Sequence, residues 1–66
     1  MRIFINRKEI TIFAGARVLD AVRAYSVRSA KRLLNGSLSV FDRFGNPTEP
    51  DGRLTDGQIL SIRKTK

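Results

Sequence analysis

The sequence predicts an α+β domain in which a mixed four-stranded sheet carries one main helix on one face. Three short segments alternate between apolar and polar residues, as half-buried strands do, and a fourth strand-like segment follows a long loop. Between the second and third segments, apolar residues recur at helical spacing. With 66 residues, the chain is expected to form one domain over residues 1–66.

The first two segments are predicted to form a tight hairpin. RIFIN and EITIF each place two isoleucines on one side, and only Arg7 and Lys8 separate them. A turn at these two residues sets the register: Asn6 pairs with Glu9, Ile5 with Ile10 and Ile3 with Ile12. All four isoleucines then share the face that packs against the helix.

The helix is predicted within VLDAVRAYSVRSAKRLLNG. One helical stripe contains Val18, Val22, Tyr25, Ser29 and Leu33. The closing Asn-Gly pair is typical of a helix end, because both residues tolerate the left-handed conformation. Ser26 in the middle of the run leaves two interpretations open: a continuous helix from Val18 to Leu34, or a helix that ends near Tyr25 and is followed by a second short turn from Ser26 to Leu34.

Two further strands follow the helix. SLSVF places Leu38 and Val40 inward and Phe41 outward, and ILSIRK places Leu60 and Ile62 on the inner face. Between them, DRFGNPTEPDG is rich in Gly, Pro and Asn, so it is predicted to be a long surface loop.

Three stretches of the chain resemble the β-grasp, or ubiquitin-like, fold. MRIFINRKEITI is similar to the opening hairpin of these proteins, and GARVLDAV is similar to the G-x-T-V-x-x-L entry into their single helix. LTDGQILSI resembles the L-x-D-G-D-x-V-x-I ending of the sulfur carriers of thiamin and molybdopterin synthesis, with matches at Leu54, Asp56 and Gly57. The resemblance spans nearly the whole chain and implies a β-grasp with a four-stranded mixed sheet and one main helix.

The resemblance to sulfur carriers does not extend to their C-terminal tail, which carries out their chemistry. In those carriers, a partner enzyme adenylates the last glycine of a Gly-Gly tail, and a sulfur is then attached as a thiocarboxylate. This sequence has RKTK, residues 63–66, where the family has small residues. The resemblance therefore favours the scaffold over the carrier chemistry. Ferredoxin-like β-grasp domains share the outline, but their iron–sulfur cluster needs four cysteines and this chain has none.

Composition argues against an enzyme. The chain has no Cys, which excludes disulfides and thiolate metal sites, and no His, the commonest general base. No catalytic, cofactor-binding or metal-binding residue is predicted. The acids of the loops allow two interpretations, since paired carboxylates do acid–base chemistry or bind hard cations, whereas acids beside Gly and Pro form turns. These acids are Asp42, Glu49, Asp51 and Asp56.

Charge and hydropathy leave the kind of partner open. Thirteen Lys and Arg against six Asp and Glu give a net charge of +7, which favours nucleic acid, acidic proteins or anionic membrane surfaces as partners. The same charge also keeps a small domain soluble.

No apolar run approaches the roughly 20 residues that span a membrane. MRIFINRKEI lacks the apolar core of a signal peptide, so a cytoplasmic location is expected.

The outer face of the sheet is the main candidate site. If the alternation holds, six side chains point away from the helix: Arg2, Phe4, Phe13, Phe41, Ile59 and Arg63. Aromatic and Arg side chains anchor protein interfaces, and on a sheet they also stack single-stranded RNA. Cross-strand pairing without a partner is the third interpretation. A second candidate requires a continuous helix: an anion-facing stripe of cations opposite its apolar side, formed by Arg17, Arg28, Lys31 and Arg32. The alternative interpretation of these cations is the solvated face of an amphipathic helix.

These observations predict a small non-catalytic module that binds another protein through the outer face of its sheet. Two alternatives stay open. One is a sulfur carrier with an atypical end, whose partner is an adenylating enzyme. The other is a small basic RNA-binding module. No cofactor is predicted for any of the three.

Overall fold

A computed structural model describes residues 1–64 and shows an α+β domain with two helices on one face of a five-stranded mixed sheet. The elements are β1 (Arg2–Ile5), β2 (Lys8–Thr11), α1 (Val18–Tyr25), α2 (Val27–Leu34), β3 (Leu38–Asp42), β4 (Pro47–Thr48) and β5 (Ile59–Lys64). The strand order is β2-β1-β5-β3-β4, with β1 and β5 parallel and the other pairs antiparallel. The α+β class and the mixed sheet are confirmed, whereas the predicted counts of four strands and one main helix are wrong.

The additional strand lies inside the segment predicted to be a loop. The carboxylate of Asp42 accepts hydrogen bonds from the backbone N–H groups of Phe44 and Asn46, at 2.8 and 2.9 Å. This turn folds the chain back, so that Thr48 pairs with Val40 in antiparallel fashion. A strand of two residues is too short to show an alternating pattern, which is why turn composition alone predicted a loop.

The hairpin is tight, but its turn lies one residue earlier than predicted. Asn6 and Arg7 have positive φ angles of 49° and 69°, which is the backbone of a type I′ turn. Ile3 therefore pairs with Ile10, and Ile5 pairs with Lys8. The predicted register is wrong by two residues. Because side chains alternate with a period of two, the slip leaves every side chain on its predicted face, and all four isoleucines are buried.

The helical segment is broken at Ser26, which confirms the second of the two interpretations. Ser26 has an extended backbone (φ −165°, ψ 121°), and its hydroxyl accepts a hydrogen bond from the Ser29 N–H at 3.2 Å. Serine is a favourable N-cap, so it ends α1 and starts α2. Each helix has eight residues. Within residues 1–64, no helix is long and apolar enough to cross a membrane.

The core lies between the helices and the sheet. The largest side chains with less than 2% of their surface exposed are Ile3, Ile5, Val18, Val22, Val40 and Leu60. The inward positions predicted for β3 and β5 are confirmed, with Ile62 half-buried against the core. The long loop holds the start of α1, because the N–H groups of Val18 and Leu19 donate to the carbonyls of Gly52 and Pro50 at 3.0 and 2.8 Å.

Candidate functional site

The sheet presents one face to the helices and leaves the other, which we call the open face, toward solvent. On the open face, Phe4 of β1 lies beside Ile59 of β5, and Phe41 of β3 lies opposite Ser61. Phe4 and Phe41 are half-buried, and 40% of the Ile59 surface is exposed. The open face therefore has an apolar centre although the core lies on the other side of the sheet.

A shallow depression lies beside this apolar centre. It has a volume of about 640 Å³ and is lined by Phe4, Asn6, Arg7, Ile59, Leu60 and Ser61. Phe4, Ile59 and Leu60 are its apolar lining residues, and Arg7 adds a cation to the lining. A depression of this kind accepts an apolar side chain and offers a charge to a neighbouring acidic group.

Two arginines lie over aromatic rings near the depression. The guanidinium carbon of Arg63 is 5.6 Å from the centre of the Phe41 ring, and that of Arg43 is 5.3 Å from the centre of the Phe44 ring. Both distances are typical of cation–π contacts. Phe44, which is 76% exposed, was not among the predicted site residues. The sequence contained a signal for Phe44, because an aromatic residue in a turn-forming segment is expected to be exposed to solvent.

Two of the six predicted face residues lie apart from the centre. The Nη1 atom of Arg2 is 3.9 Å from Glu9 Oε1, so Arg2 is engaged in a solvent-exposed ion pair. Phe13 lies beyond the end of β2, in the turn that leads to α1, and is 64% exposed. The structure thus places four of the six predicted residues at the centre of the open face: Phe4, Phe41, Ile59 and Arg63.

The predicted cationic stripe is split, because it required a continuous helix. Arg17 precedes α1, where its Nη1 donates to the Asp51 carbonyl at 2.9 Å. The other three cations lie on α2, and all are exposed: Arg28, Lys31 and Arg32. The start of α1 is no anion site, since the Arg17 N–H donates to Asp20 Oδ2 at 2.9 Å and the next two N–H groups bond to loop carbonyls.

Two of the four loop acids, Asp42 and Asp56, have local structural roles. Asp56 Oδ1 accepts the Arg2 N–H at 2.7 Å, which ties the turn before β5 to β1. The pKa of Asp42 is lowered, mainly by the hydrogen bond from the Asn46 N–H, because that bond favours the ionised carboxylate. No group of three acidic side chains in residues 1–64 is placed to hold a metal ion.

Comparison with known proteins adds no assignment to this site. No protein-family model, curated protein or solved structure matches the chain. The features that mark the open face are its own: the Phe4–Ile59 centre, the depression beside it and the arginine over the Phe41 ring.

Proposed function

We propose that this chain is a non-catalytic binding module of the β-grasp class and that it binds a protein partner through the open face. The single observation that carries the proposal is the apolar pair of Phe4 and Ile59 beside a depression, on the sheet face away from the helices. The opening hairpin, the helices on one face and the parallel pairing of β1 with β5 support the class.

The chemistry of the open face suits a partner with an apolar anchor and acidic neighbours. Apolar and aromatic anchors supply most of the affinity in protein interfaces. Three cations lie around the centre, with Arg7 in the lining of the depression and Arg43 and Arg63 over their rings. Charges at the rim of an interface steer association and select partners of opposite charge.

Binding of single-stranded RNA to the same face is the second candidate. The stacked pairs Arg63–Phe41 and Arg43–Phe44 favour it, because aromatic rings and guanidinium planes are the surfaces on which unpaired bases stack. The protein partner ranks first, because Ile59 and Leu60 line the depression together with Phe4, and aliphatic side chains offer a base no stacking surface.

The test compares two serine variants of exposed aliphatic residues. Ile59→Ser alters the open face, whereas Leu34→Ser alters α2 on the other side of the sheet; these residues are 40% and 62% exposed. Each tagged protein is used to capture proteins and nucleic acids from an extract of the source cells, and the affinity of any captured protein is then measured with purified components.

We expect Ile59→Ser to weaken the captured protein's binding by roughly thirtyfold, since an aromatic or aliphatic anchor is worth about 2 kcal/mol. Leu34→Ser should bind like the parent chain. Equal binding by both variants would refute the open-face proposal, and capture that disappears after nuclease treatment would favour RNA. Circular dichroism verifies that both variants are folded.

A further inference from the structure

The outward side of α2 exposes two aliphatic side chains that the fold does not use. Val27 and Leu34 are 61% and 62% exposed, whereas Ala30 and Leu33 of the same helix are 3% and 8% exposed. Val27 and Leu34 are seven residues apart, so they lie on one stripe of the helix, two turns from each other. Large apolar side chains at this exposure add little to folding, and together they form a small patch.

Two cations lie within or beside the patch, and a third lies farther round the helix. Arg28, Lys31 and Arg32 are exposed on the same helix, and Lys31 lies between Val27 and Leu34 along the stripe. The sequence contains no Asp or Glu from residue 21 to residue 41. In the part of the chain that the structure describes, the ion pair found is Arg2–Glu9, so no carboxylate neutralises the cations of α2.

Helix stability does not explain all three cations. Lys31 and Arg32 lie in the last turn, where the negative end of the helix dipole favours cations. Arg28 lies in the first turn of α2, where the positive end of the helix dipole disfavours a cation, and that turn contains no acidic residue to compensate. The position of Arg28 is therefore explained better by an external anion than by the helix itself.

We propose that α2 docks on an anionic lipid surface. In this arrangement Val27 and Leu34 enter the boundary between headgroups and acyl chains, and Lys31 and Arg28 lie among the anionic headgroups. Arg32, about 140° round the helix from Val27, faces away from the bilayer and contributes longer-range attraction. A second copy of the chain is excluded as the occupant, because it would bring six cations together. Nucleic acid fits less well, since its phosphates would leave both aliphatic side chains without an apolar partner. The proposal is independent of the open face, which lies on the other side of the sheet.

The test measures co-sedimentation with vesicles of phosphatidylcholine that contain about 30% phosphatidylserine, with pure phosphatidylcholine vesicles as the reference. We expect binding to the anionic vesicles alone, and weaker binding as salt rises. Arg28→Glu should lower the affinity by roughly thirtyfold, because each cation near such a surface is worth about a factor of five and the change reverses one charge. Leu34→Ser should lower it by roughly tenfold, since it removes inserted apolar surface.

Two features keep loss of binding separate from loss of folding. Arg28→Glu places an acid in the first turn of α2, so it should raise the melting temperature while it lowers lipid binding. The matched control is Arg53→Glu, which makes the same charge change beside Arg17, at the start of α1. It should lower the affinity by no more than about threefold, through long-range charge alone.

Several outcomes would overturn the proposal. These are no binding to anionic vesicles, equal binding to neutral vesicles, equal losses for Arg53→Glu and Arg28→Glu, or no effect of Leu34→Ser. A single-stranded oligonucleotide or an acidic helical peptide that binds α2 when vesicles do not would identify a different occupant and refute the lipid surface. Ile59→Ser should bind vesicles like the parent chain. Vesicle binding therefore tests the lipid proposal and protein capture tests the open-face proposal, and either proposal can fail without the other.

Discussion

Asn6 Oδ1 accepts a hydrogen bond from the backbone N–H of Ile62 at 3.0 Å, so a turn side chain closes the pairing of the first strand with the last. The Asn6 N–H donates to the Leu60 carbonyl at 3.1 Å, one step earlier on β5. Backbone pairing of β1 with β5 would end there, because the chain turns at Asn6. Asparagine suits this position, since it tolerates a positive φ and its amide oxygen continues the ladder.

Two substitutions at Asn6 should separate these two roles. Asn6→Gly keeps the positive φ but loses the acceptor for Ile62, so it should lower the free energy of unfolding by about 1 kcal/mol. Asn6→Ala loses the acceptor and also strains the left-handed backbone, so it should lower the free energy of unfolding by about 1–2 kcal/mol more than Asn6→Gly does. Urea unfolding measures both. An alanine variant as stable as the glycine variant would show that φ at residue 6 is not constrained.

The turn also shows the limit of prediction from the hairpin sequence. Alternation predicted which face each isoleucine occupies, because that depends only on the period of two. Alternation does not determine the register, which depends on the position of the turn. A turn at Asn6–Arg7 and a turn at Arg7–Lys8 give different registers but leave each side chain on the same face. Asparagine tolerates a positive φ, which favours the turn at Asn6–Arg7. The hydrogen bond from Ile62 to Asn6 joins residues 56 positions apart, so the local sequence does not reveal it.

Ile5 and Ile59 form a matched pair for testing the two faces of the sheet. Ile5 is fully buried and Ile59 is 40% exposed, on neighbouring strands. Ile5→Ala should lower the free energy of unfolding by about 2–5 kcal/mol, which removes most of the stability of so small a domain. Ile59→Ala should lower it by about 1 kcal/mol or less. Thermal melts of the two variants should differ clearly, and similar melting temperatures would contradict the assigned faces.

Ser26 should behave as the N-cap of a separate helix. Ser26→Ala removes the acceptor for the Ser29 N–H and should lower the free energy of unfolding by about 1 kcal/mol. Ser26→Asp keeps an acceptor at the helix start and should be at least as stable as the parent. If Ser26→Ala were more stable than the parent, the segment would favour one continuous helix, because alanine has the higher helix propensity.

The carboxylate of Asp42 should make the β3–β4 turn sensitive to acid. Its pKa is lowered in the folded protein, so its contribution is present above the unfolded pKa of about 3.8 and is lost as pH falls through the folded pKa. Asp42→Ala should therefore melt at a lower temperature than the parent at neutral pH, and the difference should shrink in acid. Asp42→Asn keeps an oxygen acceptor and should lie between them. A difference that does not change with pH would contradict this role.

The candidate site was predictable where it lies on regular structure. Alternation along β1, β3 and β5 predicted that Phe4, Phe41 and Ile59 share a face. It failed for Phe13, because the pattern was extended beyond the last residue of β2, and turn residues follow no period. Phe44 was missed for the same reason. The cationic stripe failed at Arg17, since a capping serine further along the chain breaks the helix that the grouping assumed.

Phe41→Leu should distinguish a protein partner from RNA on the open face. Leucine keeps most of the apolar surface beside Ser61 but removes the ring beneath Arg63. A protein anchored in the depression by Phe4 and Ile59 should lose less than about fivefold in affinity, because its apolar contacts persist. Single-stranded RNA should lose roughly five- to 150-fold, since stacking on an aromatic ring is worth about 1–3 kcal/mol per base.

Arg63→Gln gives a second readout: for RNA, loss of one phosphate contact reduces the slope of log affinity against log salt by about one unit. Fluorescence anisotropy at several salt concentrations measures both variants. A large loss with Phe41→Leu together with a shallower salt slope with Arg63→Gln would assign the open face to RNA, and the protein proposal would then be wrong.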